Sequence, residues 1–166
     1  MEIIKASEKH IQGILGLCKD CSQNMTNNLI DQWDEVYPNK EIFLDDIRNN
    51  SLYIAVSDNS EEILACIVIN EHQDPEYKEI KWKYEREKIA VIHRLMVHPN
   101  IEGKSIYQYM VRCIEKFAKE KHYDSIRLDV FSNNLRAVKF YEKLGYKVAG
   151  KVIFRKGEFF CCEEIV

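Results

Sequence analysis

Hydrophobic positions along this chain switch between a period near two and a period near 3.6, and the switches mark its elements. Glu2 to Lys5 reads as a short strand. Ser7 then caps a helix that carries Ile11, Ile14, Leu15 and Cys18 on one face. Cys21 to Val36 is irregular, and Pro38 opens a second helix with Ile42, Phe43 and Ile47 inward. Leu52 to Ser57 and Glu62 to Asn70 are β-rich, and Asp58-Asn59-Ser60 between them makes a hairpin. Glu71 to Lys88 is polar and of mixed charge. Ile89 to Val97 is again a strand, and Pro99-Asn100 turns the chain into a helix whose stripe is Ile106, Tyr109, Met110, Cys113, Ile114 and Phe117. Ser125 to Phe131 is the next strand, with Ile126, Leu128 and Val130 on one face. Asn133 or Asn134 caps a helix with Ala137, Val138, Phe140, Tyr141 and Leu144 inward, and Gly145 suits the left-handed position that ends it. Tyr146 to Arg155, a Lys156-Gly157 turn and Glu158 to Ile165 form a last hairpin.

The resulting order is β-α-α-β-β-β-α-β-α-β-β. A helix-length crossover makes the strands on either side of the Ile106 helix parallel, and the flanking hairpins are antiparallel. The expected fold is therefore α/β with a mixed sheet and helices on its faces. The length of 166 residues fits a single domain, 1–166.

Composition narrows the partners. Hydrophobic residues are 46% and charged residues 31% of the chain, as in a globular domain, and a net charge of −3 points to neither nucleic acid nor an anionic membrane. The longest apolar run, Ile63 to Ile69, is too short to span a bilayer, and MEIIKASEKH has no apolar leader core. A cytoplasmic location with six reduced cysteines is the expectation. Cys18 and Cys21 form a CxxC that no second pair completes as a zinc set, so they read as core residues and no metal is expected. Cys161 and Cys162 point to opposite faces of a strand.

Candidate chemistry lies in His98 to Ser105, HPNIEGKS, between a strand and a helix. Free N–H groups and the helix dipole make that junction an anion site. Gly103-Lys104-Ser105 looks like the end of a P-loop, but position 98, where the first glycine belongs, is His.

Taken together, IHRLMVHPNIEGKSIYQYM and SIRLDVFSNNLRAVKFYEKLGY resemble the GNAT superfamily of acyl-CoA-dependent N-acetyltransferases. The strand ending in Val97-His98-Pro99 is similar to the family's fourth strand. Glu102 to Tyr107 falls on its pyrophosphate loop, usually Q/R-x-x-G-x-G/A. Asn134, Ala137 and Tyr141, followed by Leu144-Gly145-Tyr146, match its second motif. The likeness covers roughly residues 50 to 165, with its motifs in 90 to 146. Glu102 replaces Gln or Arg, and Ser105 and Tyr107 replace two small residues.

The resemblance implies a GNAT-type, mostly antiparallel twisted sheet of about six or seven strands with about four helices, its central parallel pair splayed around the cofactor. It implies acetyl-CoA as acyl donor and a primary amine of a small molecule or peptide as acceptor, attacking directly in a ternary complex. Leu95, Met96, Val97, Glu102, Gly103, Lys104, Ser105, Ile106, Tyr107, Asn134, Ala137 and Tyr141 become the cofactor-binding set, with Tyr141 also protonating the departing thiolate. A base is needed, because only about one alkyl amine in a thousand is neutral at pH 7. Many members carry Glu on the fourth strand, where this chain is apolar around Val91; His93 is the titratable candidate. Trp33, Tyr37 and Trp82 are candidate walls of an acceptor pocket, or staples that hold loops to the core. A homodimer is an open option. The competing reading is a non-catalytic acyl-CoA-binding or regulatory module.

Overall fold

A computed structural model of the chain describes residues 1–58, 62–84, 88–101 and 104–166, with the backbone alone at Lys104. The order of elements follows the hydrophobic pattern: β1 (Glu2–Lys5), α1 (Ile11–Asn27), α2 (Lys40–Arg48), β2 (Leu52–Val56), β3 (Ile63–Asn70), β4 (Ile89–Val97), α3 (Lys104–Glu120), β5 (Ser125–Phe131), α4 (Leu135–Leu144), β6 (Lys147–Phe154) and β7 (Gly157–Ile165). The sheet runs β1-β2-β3-β4-β5-β7-β6. β1 pairs antiparallel with β2, β2 with β3, β5 with β7 and β6 with β7. β4 and β5 are parallel, as their helical crossover requires. The mixed α/β fold, with its mostly antiparallel sheet and central parallel pair, is the one expected.

Three boundaries differ from the sequence reading. Ser7 heads a short 3-10 turn, Glu8–His10, that feeds α1. α1 runs on to Asn27, where the periodicity stops at Cys21: its last turns are polar but close on themselves through Gln23 to Asn27 and Thr26 to the Ser22 carbonyl. α2 is capped by Asn39, whose side chain accepts the Ile42 N–H at 3.2 Å, so Pro38 precedes the helix rather than opening it. Tyr109 leaves the expected inward stripe of α3 and is exposed, while Val111 and Ala118 are buried. The tip of the β2–β3 hairpin at Asn59 and Ser60, and the loop residues Glu102 and Gly103, lie outside the described residues.

The backbone forms two compact units. The first is Met1–Ile69 with Arg94–Val111, the second Asn70–His93 with Arg112–Val166. The core of the first is built by Ile14, Leu17, Cys18 and Cys21 of α1, Phe43, Leu44 and Ile47 of α2, Leu52 and Ile54 of β2, Cys66 and Val68 of β3, and Met96 of β4. Burial pushes the Cys18 and Cys66 thiols up, which keeps them protonated and inert.

In the second unit β5 is the central strand. Ile126, Leu128 and Val130 fill one side. Arg127, Asp129 and Phe131 on the other are matched across the register by Glu163, Cys161 and Phe159 of β7. This second side is covered by the segment before β4. Its 3-10 turn, Pro75–Glu79, buries Tyr77, whose hydroxyl donates to Asp129 Oδ2 at 2.7 Å. A Cβ on Gly150 of β6 would meet Ile80 Cδ1 at 2.9 Å, so Ile80 fits against bare backbone.

Candidate active site

The parallel ladder joins Ile89–Ile92 of β4 to Ser125–Leu128 of β5. Just beyond it stand His93 and then Arg94, whose backbone takes the left-handed conformation at φ 48°. That turn inside a strand costs about 1–2 kcal/mol for a residue with a side chain, and Leu95, Met96 and Val97 follow it to the end of β4.

In the first unit, these residues are gripped from several directions. The Arg94 guanidinium gives Nη2 to Asp46 Oδ1 at 2.7 Å and Nε to Asp46 Oδ2 at 3.0 Å, while Nη1 donates to the Tyr37 hydroxyl at 2.9 Å. Burial pushes the Asp46 carboxyl up, and the guanidinium pulls it back in part. The Cys66 thiol donates to the Arg94 carbonyl at 3.7 Å, and the Cys21 thiol to the Val97 carbonyl at 3.3 Å. His98 N–H donates to the Leu64 carbonyl at 2.8 Å. His98 itself is a turn residue: its Nδ1 accepts the Asn100 N–H and its Nε2 lies 3.4 Å from Asp20.

Of the residues predicted from the resemblance, Met96 and Val97 are buried and Leu95 half-buried. Ser105 is exposed at the start of α3, followed by half-buried Ile106 and Tyr107. Trp33 packs, partly buried, against the core of this unit, and Tyr37 is bound to Arg94. Asp46 and Arg94 were missed by sequence reasoning. The signal was present in both: Arg94, beside His93, interrupts an otherwise apolar strand, and Asp46 lies on the face of α2 shared with Phe43 and Ile47.

The second unit holds His93, Asn134, Ala137, Tyr141 and Trp82. Asn134 is the cap of α4, its Oδ1 accepting the Ala137 N–H at 3.2 Å, and Gly145 ends the helix at φ 109°. One turn on from Ala137, Tyr141 is buried edge-on against Tyr146 at 5.6 Å and Phe140 at 5.2 Å. Among the described residues its hydroxyl has no hydrogen-bond partner. Burial, with Cys162 and Asp129 nearby, pushes the phenol up, so it stays protonated at neutral pH. His93 Nε2 lies 3.1 Å from Asn70 Oδ1. Trp82 lies over the Arg127 guanidinium at 4.1 Å and donates to the Tyr77 carbonyl at 3.1 Å, so it docks its segment on the sheet.

The sequence model of the acetyltransferase (GNAT) family matches residues 22–146. The chain belongs to the GNAT acetyltransferase family. Among its relatives, N-acetylaspartate synthetase of Xenopus tropicalis is 35% identical over 68 residues, 41% of this chain and 25% of that protein. N-acetyltransferase 8B of Homo sapiens is 32% identical over 69 residues, 42% of this chain and 30% of that protein. The chain thus spans about a third or less of the length of the curated relatives it matches. The GNAT fold extends across the whole chain. A GNAT acetyltransferase from Streptococcus agalactiae superposes with a TM-score of 0.87 at 22% identity, covering 99% of this chain and 95% of that one. The described residues contain no helix long and apolar enough to cross a membrane.

Proposed function

We propose that residues 1–166 form one acyltransferase domain that moves an acetyl group from acetyl-CoA to a primary amine of a small molecule or peptide. Family membership supplies the reaction class, and the observation that carries the reading to this chain is Tyr141. A buried phenol, kept protonated and with its hydroxyl unclaimed among the described residues, suits a proton donor.

In the reaction the amine nitrogen attacks the thioester carbonyl carbon, the C–S bond breaks, and an amide forms. The departing thiolate takes a proton from the Tyr141 hydroxyl. The amine's proton passes to His93, directly or through water, with Asn70 against the ring. The carbonyl oxygen gains charge as the nitrogen adds, and the N–H of Met96 or Val97 is the donor that receives it. Leu95, Met96, Val97 and the segment Glu102 to Tyr107, with Asn134, Ala137 and Tyr141, bind the cofactor. The α3 N-terminus and Lys104 favour its diphosphate. Support for coenzyme A as ligand comes from a neighbour of the same fold: the PaiA N-acetyltransferase from Thermoplasma acidophilum was crystallised in complex with coenzyme A, and it superposes with a TM-score of 0.72 at 20% identity over 99% of this chain and 98% of that one. Trp33, Tyr37 and Trp82 border the acceptor's approach as parts of anchored loops.

Thiol release from acetyl-CoA across a panel of amines tests transfer, and Tyr141→Phe should lower kcat about 100-fold. His93→Ala should remove the acidic limb of the pH–rate profile. One observation favours a second reading, an acyl-CoA-binding module without turnover: Val91 is buried and apolar on β4, where many family members carry Glu. A rise in Tm with acetyl-CoA but no thiol release for any amine would establish that module instead.

A further inference from the structure

We infer that Asp46 is a positioning residue for the acyl transfer, acting through Arg94 on the β4 segment Arg94–Val97. The inference rests on the proposed reading of the chain as an acetyl-CoA-dependent acyltransferase, and it gives a task to two residues outside the expected cofactor set.

Four described non-glycine residues have positive φ, and Leu29, Asn50 and His122 sit in turns just after helices. Arg94 is the one inside a strand, where the left-handed conformation has no local reason to form. Such a backbone persists only where surrounding groups over-determine it. Those groups are present. Asp46 grips the guanidinium with both oxygens, and a planar fork held at two points fixes the direction of the whole side chain. Tyr37 takes a third N–H. Arg94 and Asp46 side chains are each only 9% exposed. Neither charge would stay in that setting without the other.

Asp46 is itself fixed by backbone. Its carbonyl accepts both the N–H and the hydroxyl of Ser51 at 2.9 Å, which ties the end of α2 to the start of β2. The position of α2 is thereby transmitted to Arg94, and from Arg94 to the N–H groups two and three residues on. Those N–H groups must be placed to within a few tenths of an ångström of hydrogen-bond distance, about 2.7–3.1 Å from the developing oxyanion, to stabilise it. An apolar residue at position 46 would pack as well against Phe43 and Ile47 but could not set that direction. The carboxylate is the part of α2 that reaches the chemistry.

The test uses Asp46→Asn, Asp46→Glu and Tyr37→Phe in the full chain, read by amide hydrogen exchange over residues 94–98 and by steady-state kinetics. Asp46→Asn should raise exchange in that peptide while leaving β5 and β7 peptides unchanged, and lower kcat about 10- to 100-fold with KM for acetyl-CoA moving less than about threefold. Asp46→Glu should restore most of both, and Tyr37→Phe, which removes one peripheral bond, should lower kcat by about threefold without loss of fold. Exchange that rises evenly through the protein, or kcat that Asp46→Glu does not recover, overturns the positioning role. So does a loss confined to KM. Absence of thiol release by the unaltered protein refutes the transferase reading instead, and the exchange readout then still decides whether Asp46 sets the conformation of residues 94–97.

Discussion

Among the described residues, each unit buries one arginine against one carboxylate, and the two pairs are made differently. Arg94 and Asp46 face each other at 2.7 and 3.0 Å, fork to carboxylate. Arg127 and Glu163 approach no closer than 3.9 Å, though their side chains are 8% and 1% exposed. In the second pair the hydrogen bonds go to the segment before β4: Arg127 donates to Gln73 Oε1 at 2.6 Å and to the Tyr84 carbonyl at 2.9 Å, and Glu163 Oε1 accepts the Lys83 N–H at 2.5 Å. Glu163 Oε2 has no hydrogen-bond partner among the described residues. Two adjacent opposite charges can therefore serve either as a clamp on each other or as a pair of anchors for a third piece of chain. The first arrangement fixes one residue's backbone; the second fixes a dozen residues at low precision.

The strongest effect of that contrast belongs to Glu163→Ala. It removes the facing carboxylate from the buried Arg127 and the acceptor from the Lys83 N–H, and should cost about 3–5 kcal/mol, seen as a large drop in Tm, with limited proteolysis cutting first between residues 73 and 84. Cleavage elsewhere would show that Glu163 does not anchor the segment. Tyr77→Phe comes next. It removes the donor to Asp129 and should cost about 1.5–3 kcal/mol, again with protease sensitivity near Pro75. Arg94→Lys keeps the charge but loses the fork. A cost of about 1 kcal/mol, with no new cleavage between 73 and 84, would separate the clamp from the anchors. The smallest effect near neutral pH comes from the β7 thiols. Burial, reinforced by Asp129, pushes Cys161 and Cys162 up to about 12. The unfolded chain releases these protons near pH 9, so it binds fewer protons than the native state above that point, and stability falls as pH rises. Tm should be flat from pH 7 to about 8.5 and decline beyond. Replacement of both cysteines by alanine should make the decline shallower, leaving the part due to Cys18 and Cys66, and an unchanged slope would point to other groups.

The elements were legible because each carries its own period. The α4 motif was readable down to the cap and the terminating glycine, since Asn134, Ala137 and Gly145 act through bonds within a few residues. The segment from Glu71 to Lys88 was opaque because its reasons lie far along the chain. Trp82 depends on Arg127, Lys83 on Glu163 and Tyr77 on Asp129, partners 45 to 80 residues away that no local pattern announces. Asp46 and Arg94 were legible only as anomalies, charges on apolar faces whose meaning appears when the two faces meet. Tyr109 was misplaced because a helical stripe read from spacing tolerates a rotation of one residue, which the packing of Met110, Val111 and Ala118 resolves.

The bare backbone at Gly150 carries a consequence for how this surface can vary. Ile80 enters the space that a side chain there would occupy, so the segment is keyed to β6 as well as tied to β5 and β7. A key of that kind constrains length more than composition. A residue added or removed between Tyr77 and Lys83 would carry Ile80 off its slot and shift Trp82 away from Arg127 at the same time. Exposed positions ahead of the keyed stretch, such as His72, are free of that demand. Variation of this surface should therefore come by substitution within the keyed stretch and by insertion only outside it.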